Sequence, residues 1–172
     1  NETIKTLEGN RIEWFGVDKK YLLKDINGEK VSFSGFCCYS TNGAGYRKKE
    51  GIKGVNPLTL EAIAEQINVD KENEAYSIFS FHWGDEHTNY PKSEHVSLVK
   101  KLTLIKDMLI VGHHPHVIQG IQKYNNSFVV YSLGHCLFDD VASITGRWIL
   151  KQIPENKKSF ILEAEIVNGT LI

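Results

Sequence analysis

The sequence predicts an α/β fold (α+β) with antiparallel strands at its margins. Two observations support this class: strand-like and helix-like segments alternate through the middle of the chain, and the tail alternates apolar with polar residues. A third observation, that histidines follow three of the predicted strands, points to where a ligand would bind. With 172 residues the chain is long enough to bury a core, so we expect residues 1–172 to form a single domain.

In the first half of the chain we predict one strand and one helix. Residues 29–36 alternate apolar and polar side chains, which indicates a half-buried strand. Its buried face would carry Val31, Phe33 and Gly35. Asn56 and Pro57 are typical of a helix N-cap and a first helical turn. The apolar residues that follow at helical spacing are Leu60, Ile63, Ala64 and Ile67. The glycine-bearing segment 40–51 lacks the lysine–serine ending of a P-loop, so we interpret it as a flexible loop.

The second half predicts three apolar strands, one helix and a closing hairpin. The strands are expected at 76–81, 107–112 and 127–134. The helix is expected at 92–106, because Val96, Val99, Leu102 and Ile105 fall on one stripe. Residues 146–153 and 159–166 alternate apolar and polar side chains, which predicts an antiparallel hairpin. Its buried face would carry Phe160, Leu162, Ala164 and Ile166.

Composition indicates an ordinary soluble globular protein, 41% hydrophobic and 24% charged. The formal net charge is −1 and the sequence has no dense basic stripe, so we do not expect nucleic acid as a partner. Apolar runs are too short to span a membrane, so we expect the chain itself to be soluble. Cys37, Cys38 and Cys136 fit neither a disulfide framework nor a CxxC zinc site, and we expect buried free thiols.

All seven histidines lie between residues 82 and 135. His82, a cluster at 113–116 and His135 each follow a predicted strand. Open α/β sheets bind ligands at the carboxyl edge, so these histidines meet if the three strands are neighbours. In an extended segment His114 and His116 would point the same way and could face one metal ion. Pro115 would stiffen this pair, and Gly112 would allow a tight turn at the strand end.

Residues close to these histidines have structural as well as functional interpretations. His82 is either a hydrogen-bonded rim residue, a metal ligand or an imidazole that polarises a substrate oxygen. Glu86 and Asp85 could orient a ligand histidine or act as a base. Packing is the favoured role for Trp83. We expect His87 and His95 to lie on the surface and His113 to form a hydrogen bond with a neighbouring residue. We also expect a tight turn at Gly134, directly before His135.

Several motifs together resemble one known family. They are HWGDE at 82–86, Pro91, GHHPH at 112–116, Gln119, YSLG at 131–134 and FD at 138–139, with a weaker match at 26–36. This pattern resembles the poly-γ-glutamate capsule biosynthesis proteins of the CapA/PgsA type, a branch of the calcineurin-like metallophosphoesterase superfamily. The resemblance implies a β-sandwich flanked by helices, of which this chain is expected to be the carboxyl-terminal half. His135 stands where the family usually has asparagine.

The resemblance also implies a metal centre. Two divalent ions (Mn, Fe or Zn) are expected in the intact protein, where they would clamp a phosphate and activate water. The implied metal ligands of this half are His82, His114 and His116; the implied catalytic residues are His82, Glu86 and His135; the implied substrate contacts are His113, Trp83 and Gln119. The remaining ligands are expected in an amino-terminal half that this sequence lacks.

The substrate would be an anionic polymer or a phosphorylated or amide compound, and catalysis itself stays open. The full-length protein would be anchored in the cell envelope and face outwards. The alternative is a non-catalytic binding or assembly subunit of a membrane polymer-synthase or export complex, with synthase subunits as partners.

Overall fold

The structure, a computed structural model, describes residues 2–38, 54–137 and 139–172. The loop predicted at 40–51 and Phe138 of the family-like motif lie outside these residues. Within them the α/β class is confirmed: a six-stranded mixed sheet is accompanied by three α-helices and two separate two-stranded sheets. None of the helices in the described ranges has both the length and the apolar character needed to cross a membrane.

The secondary structure elements follow one another along the chain in this order. They are α1 (Glu2–Gly9), β1 (Leu22–Ile26), β2 (Glu29–Cys37), α2 (Leu60–Glu72), β3 (Tyr76–His82), α3 (Ser93–Leu102), β4 (Met108–His113), β5 (Ile121–Tyr124), β6 (Ser127–Val130), β7 (Val141–Ala142), β8 (Trp148–Leu150), a 3₁₀ turn (Pro154–Lys157), β9 (Ile166–Val167) and β10 (Thr170–Leu171).

The large sheet has the strand order β1-β2-β3-β4-β6-β5. The four inner strands run parallel, and β1 and β5 are the antiparallel margins. The register of the parallel strands pairs Cys37 with His82 and His82 with His113. Three strands therefore end level with one another, and the residues that follow them meet at one edge of the sheet.

Helices α2 and α3 cover one face of this sheet. Their residues Ile63, Ile67, Val99 and Leu102 are fully buried against Phe79, Phe81, Ile110 and Val129 of the strands. Helix α3 is shorter than expected, and Ile105 lies beyond its end and is 36% exposed. The predicted apolar stripe is therefore confirmed only where it contacts the sheet.

The predicted N-cap of α2 is wrong. Thr59 is the N-cap, and its hydroxyl accepts a hydrogen bond from the amide of Ala62 at 3.2 Å. Asn56 instead accepts from the amide of Lys19 at 2.7 Å and donates to the carbonyl of Gly35 at 3.1 Å. Asn56 therefore joins its own loop and the loop at Lys19 to strand β2. The Asn-Pro pair has the residue types of a helix cap but makes tertiary contacts instead.

Strand β2 buries the face that was predicted to be polar, which corrects the half-buried prediction. Ser32, Ser34 and Phe36 on that face are buried, whereas on the predicted buried face Val31 is buried and Phe33 and Gly35 are half-buried. Inner strands of a parallel sheet are covered on both sides, so their small polar residues are buried too.

The tail forms a closing antiparallel hairpin, although with other partners than expected. Strand β8 pairs with β7, and the closing hairpin consists of β9 and β10. Leu162 and Ile166 pack with Leu109 and Leu171 on the sheet face opposite the helices, whereas Ala164 is exposed. The alternation around residue 160 therefore reflects packing against the large sheet, and no strand ladder forms between the two predicted segments.

Candidate metal site

The carboxyl edge of the large sheet brings histidines from three strands together. Ring centroids of His82 and His114 lie 4.6 Å apart, those of His114 and His116 5.6 Å apart, and those of His116 and His135 4.5 Å apart. We call these four residues the histidine row. The row arises because β3, β4 and β6 are neighbours, as the prediction of a shared edge required.

The backbone around Pro115 differs from the expected extended conformation. His114 has φ 100° and His116 has φ 62°, so both lie in the left-handed region. Non-glycine residues rarely adopt such angles, and each costs about 1–3 kcal/mol. Pro115 is buried against Gly84, where an added Cβ would lie 3.1 Å from the proline Cγ. The two imidazoles therefore converge through two left-handed turns and not through strand alternation.

Two glycines allow this edge to pack closely. Gly112 lies inside β4, and a Cβ there would be 1.9 Å from the carbonyl oxygen of Tyr131 and 2.6 Å from Nε1 of Trp83. Close approach, and not the predicted turn, is the reason for this glycine. Gly134 has φ 78°, a left-handed angle that suits glycine, and a Cβ there would lie 2.4 Å from the carbonyl oxygen of Lys158. The tight turn before His135 stays a prediction.

Glu86 completes a possible metal-ligand set with His114 and His116. Each residue offers one ligand atom, and these atoms all lie within 4.8 Å of one another. Oε1 of Glu86 is 3.9 Å from Nε2 of His116. Ligand atoms on one zinc ion lie about 3.3 Å apart when each bond is about 2.0 Å, so modest side-chain rotation would close the set. Two imidazoles and a carboxylate suit zinc, iron or manganese.

His82 is adjacent to this set but not part of it. Its ring contacts that of His114, and its Nε2 is buried with no hydrogen-bond partner among the described residues. Buried polar atoms are normally satisfied, so an imidazole nitrogen in this state fits a site that is completed by a ligand. His135 stacks on His116 with an interplanar angle of 20° and restricts the orientation of that ring.

The electrostatics of the edge favour neutral imidazoles. Burial, with a smaller contribution from the neighbouring histidines, lowers the pKa of His82 to about 4. Burial also lowers the pKa of His113, His114 and His135. Neutral rings keep a lone pair available at pH 7, and a metal ion requires that lone pair. Asp85 is engaged elsewhere, in an ion pair with Lys92 at 2.8 Å.

Trp83 and His95 lie in the core, which agrees with the packing role favoured for Trp83 and corrects the surface position expected for His95. Trp83 is 1% exposed, and its ring stacks on those of His95 and Tyr131 at 4.8 and 5.6 Å. Its Nε1 donates to the carbonyl of Tyr131 at 2.9 Å. We therefore assign Trp83 a packing role and not substrate contact. The burial of His95 had a signal in the sequence, because Val99 and Leu102 follow it four and seven residues later, on the same face of a helix.

The other predicted site residues have distinct environments. Gln119 is 4% exposed, and its side-chain nitrogen donates to the carbonyls of Thr88 and Tyr90, so its amide is not available to a substrate.

His113 is half-buried at the end of β4. His87 is exposed, as expected, and its Nδ1 is 3.2 Å from the side-chain nitrogen of Asn156. The cysteine prediction is only partly right: Cys37 is buried and in no disulfide, whereas Cys136 is exposed.

Comparison with known proteins identifies relatives that share most of this chain. The model of the family described as "Bacterial capsule synthesis protein PGA_cap" matches residues 1–140. The "PGA biosynthesis protein CapA" of Bacillus subtilis (strain 168) is 32% identical over 121 residues, which are 70% of this chain and 31% of that protein. The "Capsule biosynthesis protein CapA" of Bacillus anthracis is 30% identical over 146 residues, which are 80% of this chain and 36% of that protein.

The matched region contains the large sheet and the whole histidine row. This chain spans about a third of the length of both curated relatives. The family match over residues 1–140 covers well over half of the chain, and the motifs at the sheet edge lie within it. The chain therefore belongs to the bacterial capsule synthesis protein PGA_cap family.

Proposed function

We propose that this chain supplies part of the metal centre of a protein that acts in poly-γ-glutamate capsule synthesis. The names of the two relatives support the process, since both are biosynthesis proteins for this polymer or for the capsule. The observation that carries the proposal is the set of Glu86, His114 and His116, whose ligand atoms lie within 4.8 Å of one another. The reaction we propose is metal-dependent hydrolysis of an anionic polymer or of a phosphorylated or amide substrate.

The residues of the edge would have separate tasks. A bound divalent ion would act as a Lewis acid and lower the pKa of a coordinated water. His114, His116 and Glu86 would hold it, and the left-handed turns at the two histidines present both rings before an ion arrives. His82, whose lowered pKa leaves it neutral, could ligate a second ion or accept a proton at Nε2. His135 would restrict the ring of His116 by stacking.

Zinc and manganese titrations followed by calorimetry test the metal site in the 172-residue chain. We expect one ion to bind, and His116→Ala or Glu86→Gln to weaken its affinity at least tenfold, about 1.4 kcal/mol. Glu72→Gln, an exposed carboxylate at the end of α2, is the matched control and should leave the affinity unchanged. Absence of binding to the unaltered chain, or equal affinities in all variants, would contradict the proposed site.

The cellular role is tested in the whole protein, for which we propose a location in the cell envelope. A whole-length protein with His116→Ala should fail to restore polymer synthesis to a strain that lacks the gene. Restored synthesis would instead favour the alternative, an assembly subunit that binds synthase partners without metal chemistry.

A further inference from the structure

Two loops meet above the histidine row and are joined by hydrogen bonds. The first, residues 84–91, carries Glu86 and is called the carboxylate loop here. The second, residues 113–119, carries His114 and His116 and is called the histidine loop. Glu86 itself is exposed, and a loop of this kind would leave its carboxylate free to move unless the loop backbone is held.

Gln119 makes two of the contacts between these loops. Its side-chain nitrogen donates to the carbonyl of Thr88 at 2.6 Å and to that of Tyr90 at 3.2 Å. The side chain is almost completely buried, and its backbone amide donates to Ser132 at 3.2 Å, which joins it to the segment after β6. Gln119 is therefore fixed to the sheet at one end and to the carboxylate loop at the other.

Two further contacts follow the same path. The amide of His87 donates to the carbonyl of Pro115 at 2.7 Å, and the side-chain nitrogen of Asn89 donates to Ile118 at 3.3 Å. The first contact lies one residue from Glu86 and between the two ligand histidines. Any force that keeps the loops together therefore acts directly on the distance between the carboxylate and the imidazoles.

We propose that Gln119 is a positioning residue for the metal site, because its carboxamide holds the carboxylate loop against the histidine loop and keeps Glu86 within reach of His114 and His116. This inference rests on the proposed function, since it assumes that the three residues bind an ion. The energetic reason is preorganisation: ordering backbone costs about 1–2 kcal/mol per residue, and a loop ordered in advance does not incur that cost on binding.

Glutamine has the chemistry that this position requires. A primary amide has two N–H donors on one nitrogen and can satisfy two carbonyls at once. Glutamate has a similar shape but would present oxygen to both carbonyls, and an apolar side chain would leave both without this donor. Gln119→Met keeps the length of the side chain and removes both donors, so it is the variant of choice.

The first experiment requires no metal. In the metal-free chain, Gln119→Met should increase hydrogen exchange of the His87 amide at least tenfold, because the loop that holds its bond to Pro115 opens more often. Gln66→Met, which removes another buried glutamine and its bond to Asp70, is the matched control and should leave exchange at His87 unchanged. Unchanged exchange at His87 in Gln119→Met would overturn the proposal.

The second experiment is a double-mutant cycle with zinc affinity as the readout. Gln119→Met should weaken zinc binding about tenfold in the unaltered background and less than twofold when Glu86→Gln is already present. Asn89→Ala, a milder change in the same set of contacts, should weaken binding in the same direction and covers the case in which Gln119→Met fails to fold.

The outcomes separate the two proposals. If the unaltered chain binds no zinc, the proposed function fails and the positioning role fails with it. If the unaltered chain binds zinc and Gln119→Met binds it equally well, only the positioning role fails. A tenfold loss that persists in the Glu86→Gln background would also overturn it, because Gln119 would then act without the carboxylate.

Discussion

Gly112→Ala should destabilise the protein more than its small size suggests. The added Cβ would lie 1.9 Å from the carbonyl oxygen of Tyr131 and 2.5 Å from its carbonyl carbon, and both atoms belong to backbone. Ordinary contact would require a separation of about 1.5 Å more, which the parallel strands β4 and β6 cannot provide without losing register. Nε1 of Trp83, at 2.6 Å, would be displaced too, and its bond to Tyr131 would break.

The magnitude follows from these two losses. Overpacking a core costs about 1–3 kcal/mol, and a buried donor left without its acceptor costs about 1–3 kcal/mol. We therefore expect the free energy of unfolding to fall by about 2–6 kcal/mol, a large share of the stability of a typical domain.

Urea denaturation followed by far-ultraviolet circular dichroism measures this change. Gly120→Ala is the matched control, because nothing lies within 4 Å of its added Cβ. The control should remain within about 1 kcal/mol of the unaltered protein. If Gly112→Ala also stays within that range, the close approach of Tyr131 and Trp83 to β4 is not as described, and the geometry inferred for the adjacent histidines fails with it.

Two further predictions concern the stacked rings behind the site. Trp83→Phe keeps an aromatic ring against His95 and Tyr131 but removes the Nε1 donor, so the free energy of unfolding in urea should fall by about 1–3 kcal/mol; an unchanged value would mean that the bond to Tyr131 contributes nothing. Burial lowers the pKa of His95, although the carboxylate of Glu94 opposes this shift. The unfolded chain therefore binds more protons than the folded chain below pH 6.5. The free energy of unfolding should consequently fall as the pH falls from 7.5 to 5.5. Measured with a chelator present, that fall should be smaller in His95→Phe, and an equal fall would exclude His95 as a contributor.

The sequence was informative wherever a local pattern has one physical cause. The apolar runs before His82 and after Asp107 predict strands, and the structure has β3 and β4 there. A pattern with two possible causes does not determine the local structure. Asn56-Pro57 has the residue types of a helix start, but its side-chain hydrogen bonds go to residues 19 and 35, which only the folded chain brings near.

The candidate site shows the same division. That histidines after three strands would share one edge follows from the geometry of parallel sheets, and the centroid distances agree. Sheet geometry did not determine which residues form the ligand set. Glu86 joins His114 and His116 because loops cross above the sheet, whereas Trp83 and Gln119 turn away from the edge to bond with backbone carbonyls.

By itself the sequence determined the class of fold, the edge at which the histidines gather and the resemblance that the family match confirms. Only the tertiary structure decided which side chains face that edge, why Gly112 and Gly134 must be glycine, and which loops hold the carboxylate. The physical reason is the range of the interactions. Strand and helix patterns report contacts between residues a few positions apart, whereas Gln119 reaches Thr88 and Gly112 faces Tyr131 across the fold, and no local pattern encodes those partners.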